Sequence, residues 1–152
     1  MQLWINSSAD GRSLSPAAAG DNSLALFLTS ATGRLFAAFL PTEQTEAMLR
    51  AETQNLRKRG ARPSRRTLND FRRLQNEIRS TGISPADGTQ LASVSALSAP
   101  IFDIEGRMVA AITSLGPRGD FDCSTNGTAA QVLLKVTREL SKAMGYTAKR
   151  GP

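Results

Sequence analysis

The chain has 152 residues, 40% of them hydrophobic, and a net charge of +6; this suffices for one sizeable core and is too short for two ordinary domains. It contains no histidine and a single cysteine, Cys123, which excludes an internal disulfide and removes the usual partners for metal binding and thiolate activation. No apolar run approaches the thickness of a bilayer, and the N-terminus MQLWINSSAD lacks the basic-then-apolar pattern of a signal peptide, so a cytoplasmic protein is expected.

In chain order, Leu3, Trp4 and Ile5 read as the end of a strand, followed by a turn at Ala9 to Arg12. Leu24 to Leu28 suits a buried strand, and Thr29 and Ser30 offer hydroxyl caps to a following helix. That helix carries Leu35, Phe36, Phe39 and Leu40 on one stripe and stops at Pro41. A strand passing abruptly into a helix aims the first helical amides at whatever lies above the sheet, and those donors favour an anion or a carbonyl. From the residues alone, an ordinary capped helix with Gly33 in its first turn is the simpler reading.

A second helix starts at Thr42 and closes at Gly60, with Glu43 and Glu46 near its positive end and Arg57, Lys58 and Arg59 near its negative end. The segment Arg50 to Arg73 holds nine basic residues against Glu52 and Asp70 and so accounts for the net charge. It lacks interleaved aromatics and any nucleic-acid motif, and reads as a solvated helix-flanking loop over Ala61 to Thr67. A third helix is predicted from Asn69 or Asp70 to Gly82, burying Phe71, Leu74 and Ile78. Ile83 to Leu91 reads as a polar crossing that carries Asp87.

The most informative stretch is Ser93 to Pro117, two strand-like runs joined by a turn at Glu105 and Gly106. In the second run Val109, Ala111, Thr113 and Leu115 alternate with Met108, Ala110, Ile112 and Ser114. Both faces are small or apolar, the pattern of a strand in the middle of a covered sheet. The first run is rich in Ser and Ala, which leaves room for a ligand beside the sheet or for a tightly packed helix, with Pro100 at an edge or bulge. After a polar loop holding Cys123, a final helix from Thr128 to Gly145 is predicted to lay Val132, Leu133, Val136, Leu140, Ala143 and Met144 against the sheet. Lys149 to Pro152 is a tail.

The run APIFDIEGRMVAAITSLGP resembles the signature of the C-terminal effector-binding domain of IclR-type transcriptional regulators. TSATGRLFAAFLP, from Thr29, and DFRRLQNEIRSTGIS, from Asp70, resemble the same domain in the same order, and with the final helix the likeness covers roughly four fifths of the chain. It implies an α+β fold with a mainly antiparallel, GAF-like or profilin-like sheet flanked by helices, which agrees with the element order. It also implies effector amides at Ala31 and Thr32, with close backbone approach at Gly33. The acidic position before the hairpin falls on Ala86 or its neighbour Asp87. The small polar side chains fall on Ala96 and Ser98 of the first strand and on Thr113 and Leu115 of the second. Ala86, Ala96 and Leu115 depart from the polar pattern that suits a small oxo-acid and favour an aromatic or otherwise partly apolar carboxylate.

The resemblance further implies a dimer or tetramer and DNA contact only through an N-terminal winged helix-turn-helix, which this chain does not contain; its own N-terminus reads as truncated or divergent. Residues 1–152 are thus expected to form one ligand-sensing and oligomerisation domain, non-enzymatic, without cofactor, metal or membrane contact. A stand-alone GAF-type ligand-binding domain, with or without catalysis, is the alternative, and a basic nucleic-acid adaptor the third reading.

Overall fold

A computed structural model describes residues 2–7, 29–58 and 65–147 of the chain. The expected strand at Leu24 to Leu28, the turn at Ala9 to Arg12, most of the arginine-rich loop and the C-terminal tail lie outside the described residues. The elements are β1 (Gln2–Ser7), α1 (Ala31–Phe39), α2 (Thr42–Lys58), α3 (Arg65–Thr81), β2 (Ser84–Asp87), β3 (Val94–Phe102), β4 (Met108–Pro117) and α4 (Thr128–Ala143). The strands form one antiparallel sheet in the order β1-β4-β3-β2, which makes this an α+β fold.

The hairpin β3–β4 is the centre of the sheet because β1 and β2 cover its two outer edges. Its turn is closed by Asp103, whose carboxylate accepts the amides of Glu105 and Arg107, both at 2.9 Å. Gly106 adopts φ +75°, a conformation that glycine alone enters without a Cβ penalty. β4, flanked on both sides and covered on both faces, buries Ala110 to Ser114 without interruption.

One face of the sheet meets α1 and α3, where Leu35, Phe36, Ala37, Ala38, Phe71, Ile78 and Ala111 form a core. Ser30 caps α1 by accepting the Gly33 amide at 2.9 Å, and the Leu40 amide closes the other end on Phe36. The buried surface of α1 is wider than the expected Leu and Phe stripe, because Ala31, Ala37 and Ala38 let the helix sit close to its neighbours. Gln75 and Arg79 of α3 donate to the Ala37 and Ala38 carbonyls at 2.7 and 2.6 Å, satisfying the exposed carbonyl end of α1.

The opposite face packs on α4 through Ile83, Leu97, Ala99, Ile101, Ala110, Ile112, Ala130 and Leu133.

Three expectations need correction. The crossing at Ile83 to Leu91 contains a true edge strand, β2, with Ile83 and Ser84 fully buried. Its polar residues hide the strand pattern, since pairing with β3, rather than alternation, holds it in place. α3 begins at Arg65, four to five residues before the expected start. Finally, α4 buries only Leu133 of the expected stripe: its sheet-facing residues are Ala130, Leu133, Thr137 and Ser141, whereas Val132, Val136, Leu140 and Met144 are exposed. Small residues let that face approach the sheet closely, and Ser141 there accepts the Phe102 amide at 3.0 Å.

Candidate functional site

The sheet face under α1 carries two rows of side chains set by strand register. Ser84, Ser98 and Thr113 lie opposite one another across β2, β3 and β4, and Ala86, Ala96 and Leu115 lie opposite one another one step further along. The first row is hydroxylated and buried; the second is apolar and opens into a cavity of about 200 Å³. The walls are Ser30, Ala31 and Thr32 at the start of α1, Ala86, Ala96, Thr113 and Leu115 of the sheet, and Gln90, Leu91 and Val94 from the β2–β3 connection. That connection is fastened across the mouth by Thr89, whose hydroxyl donates to the Thr29 carbonyl at 2.5 Å. Arg34 pins α1 to β2 by donating to the Pro85 carbonyl at 3.0 Å, and its burial lowers its pKa from the ordinary value.

The hydroxyls form a chain. Thr32 Oγ1 and Thr113 Oγ1 are 2.7 Å apart, Thr113 Oγ1 and Ser98 Oγ 2.9 Å apart, and Ser98 donates onward to the Ile112 carbonyl at 3.4 Å. With one hydrogen each, the hydroxyls run Thr32 to Thr113 to Ser98 while Ser98 donates to Ile112, and Thr32 then offers an occupant a lone pair. Reversing the chain gives up the Ser98–Ile112 bond and frees the Thr32 hydrogen for the occupant. Above them the Ala31 and Thr32 amides stand in the first turn of α1, where no carbonyl four residues earlier belongs to the helix. Ser30 takes the Gly33 amide, so the partial positive charge of the helix start is concentrated on these two donors.

Of the nine residues singled out from sequence, Ala31, Thr32, Ala86, Ala96, Thr113 and Leu115 are brought together around this cavity. Ser98 lies one layer beneath, fully buried and hydrogen-bonded to Thr113. Gly33 is outside the lining, with its amide committed to the cap. Asp87 is turned away: strand alternation puts it beside Ser95 on the other face of the sheet. There Ser95 donates to it at 2.7 Å and Arg118 pairs with it at 3.1 Å. The Ser95 hydroxyl first, and then Arg118, hold its carboxyl below the usual range.

Among the described residues, then, no carboxylate lines the cavity. Residues missed by sequence reasoning are Ser30, Gln90, Leu91 and Val94. The one signal for them was Leu91, an apolar side chain in a polar crossing, now 60% exposed at the mouth.

Among the described residues no group of His, Cys, Asp or Glu could hold a metal ion, and no helix is long and apolar enough to cross a membrane. The chain matches the family model described as bacterial transcriptional regulator IclR C-terminal over residues 6–142. Among solved structures it is similar to Pseudomonas aeruginosa HmgR, with 36% identity and a TM-score of 0.67, covering 81% of this chain and 46% of that one. It is also similar in fold to the Thermotoga maritima IclR, with 24% identity, a TM-score of 0.59, and coverage of 80% and 47%. The C-terminal domain of Escherichia coli KdgR gives 20% identity, a TM-score of 0.58, and coverage of 80% and 71%. A search of curated proteins found no match. The chain spans about half the length of HmgR. With most of its residues matched by that family model and its fold shared with these regulators, the chain belongs to the family of IclR C-terminal regulatory domains of bacterial transcriptional regulators.

Proposed function

We propose that the chain is the effector-sensing and self-associating part of a cytoplasmic IclR-type regulator, and that its effector is a partly apolar carboxylate. DNA binding in this reading belongs to a winged helix-turn-helix in another segment of the whole protein, and the chain itself performs no catalysis. The observation that carries the proposal is the two-row floor of the cavity: amides and hydroxyls at one end, Ala86, Ala96 and Leu115 at the other. A carboxylate placed at the Ala31 and Thr32 amides meets donors without meeting an acid. Its body covers the apolar row, where a compact charged oxo-acid would leave its outer polar atoms unpaired. At about 200 Å³ the cavity is smaller than most ligand pockets, which limits the body to a single ring or a short chain.

A thermal-shift series with benzoate, glyoxylate and pyruvate tests this. Stabilisation by benzoate, and weaker or no response to the other two, is expected; the reverse order would contradict it.

Self-association is assigned to the outer flank of α4. Val132, Val136, Leu140 and Met144 recur every fourth residue and are exposed, a stripe that two copies bury by packing antiparallel about a twofold axis.

A further inference from the structure

β2 pairs with β3 only as far as Ser84 opposite Ser98. Among the described residues, the edge of β3 from Ala99 to Phe102 therefore borders a cleft instead of another strand. This cleft, about 700 Å³, lies between the ends of α1 and α3 on one side and α4 on the other, and no residue of the first cavity lines it.

Its wall is aromatic. Phe102 meets Phe39 edge-on at 5.3 Å between ring centroids and Tyr146 at 5.2 Å with a 34° tilt. Among the described residues its charges are all positive: Arg79 from α3, and Arg138 and Lys142 one turn apart on α4, with no Asp or Glu in the lining. Arg79 is held in place by the Ala38 carbonyl and by Asn76. Arg138 and Lys142 meet no acid among the described residues, and as like charges at i and i+4 they repel one another. The hydroxyls of Ser80, Thr81, Thr137 and Ser141 are already spent on helix carbonyls, so polar recognition in the cleft falls to the cations and to the Tyr146 and Thr147 hydroxyls.

We propose that this cleft is a second binding site, separate from the first, for an aromatic carboxylate too large for the first cavity. Its aromatic wall accepts a ring system face-on or edge-on, and its cations supply charge-assisted bonds to the acid. The volume falls inside the range of small-molecule sites. Recruitment of a peptide strand is blocked, because Pro100 has no amide hydrogen and the Phe102 amide is taken by Ser141.

Calorimetric titration of the 152-residue chain with 2-naphthoate tests the proposal, since two fused rings exceed what the first cavity holds. One site per chain is expected. Arg138→Gln combined with Lys142→Gln weakens it at least about tenfold, as does replacing the probe by 2-naphthol, which keeps the rings and lacks the carboxylate. Leu115→Asp, which blocks the first cavity, leaves the affinity for 2-naphthoate unchanged. Absence of binding at about 1 mM, equal affinity for the two probes, indifference to the double substitution, or loss in Leu115→Asp would each overturn the assignment. Binding that disappears as the protein is concentrated, with a doubled mass by light scattering, would give the cleft to a second copy of the chain and equally overturn it. Benzoate binding is followed in parallel and is expected to survive the double substitution, so the two cavities fail or hold independently.

Discussion

Thr113 is the residue on which the first cavity depends, because it joins the side chain of α1 to the buried hydroxyl row of the sheet. Replacing it by valine keeps the shape and removes both bonds, leaving the Ser98 and Thr32 hydroxyls without their shared partner. An unpaired buried hydroxyl costs about 1–3 kcal/mol, so Thr113→Val is expected to lose stability on that scale in urea titrations while Thr113→Ser loses much less. Equal stability of the two variants would show that the hydroxyl chain contributes nothing. Ser84 shows what such a loss looks like in the native fold: its Oγ is buried in the same row with no partner among the described residues.

The positions at this scale were legible in part. Ala31, Thr32, Ala96, Thr113 and Leu115 follow from matching motifs to numbered residues, since strand alternation converts one aligned residue into a whole face. Asp87 was misjudged as a neighbour of the site because Ala86 and Asp87 differ by a single step along β2, and one step along a strand reverses the face.

At the scale of elements, α4 shows where periodicity reaches its limit. Its pattern identified a helix correctly but not which side meets the sheet. A stripe of Val132, Val136, Leu140 and Met144 is more apolar than Ala130, Leu133, Thr137 and Ser141, yet the second set is buried. The buried face packs Ala130 and Leu133 into the core and accepts the Phe102 amide at Ser141, an edge contact that no hydropathy pattern registers. β2 was missed for a related reason: SPAD has neither alternation nor β-branched residues, and its strand character comes from its partner.

Two outcomes are expected here. Ser141→Ala strands the Phe102 amide and lowers stability by about 1–3 kcal/mol, measured by denaturant unfolding. Val136→Asp with Leu140→Asp converts a dimer or tetramer into a folded monomer by light scattering and circular dichroism. A variant that keeps its oligomeric mass would place self-association on another surface.

For the whole molecule, the antiparallel sheet with helices on both faces was readable from the order of elements and from the doubly apolar pattern of β4. The same organisation sets the response to acid. Three carboxyls are held below the ordinary range: Asp87 by Ser95 and then Arg118, Asp103 by the Arg107 amide first, and Asp122 by Ser124. A pKa lowered on folding adds stability that is complete above the unfolded value of about 4 and is lost as pH falls through the lowered folded value. The melting temperature should therefore hold from pH 7 to about 5 and fall below about 4. Asp103→Asn, which gives up the pairing with Arg107, should melt lower at neutral pH and lose less on acidification. A melting temperature that rises with acid would contradict this reading.

The most direct test of the central claim is benzoate binding followed by thermal unfolding in the parent chain and in Leu115→Asp. At 100 times its dissociation constant a ligand of the folded state adds about 2.7 kcal/mol, which for a chain of this size reads as a rise of about 5–10 °C. That rise is expected in the parent and none in Leu115→Asp, whose carboxylate repels the ligand from the apolar row. An unchanged melting temperature in the parent, or an equal rise in both proteins, would contradict it.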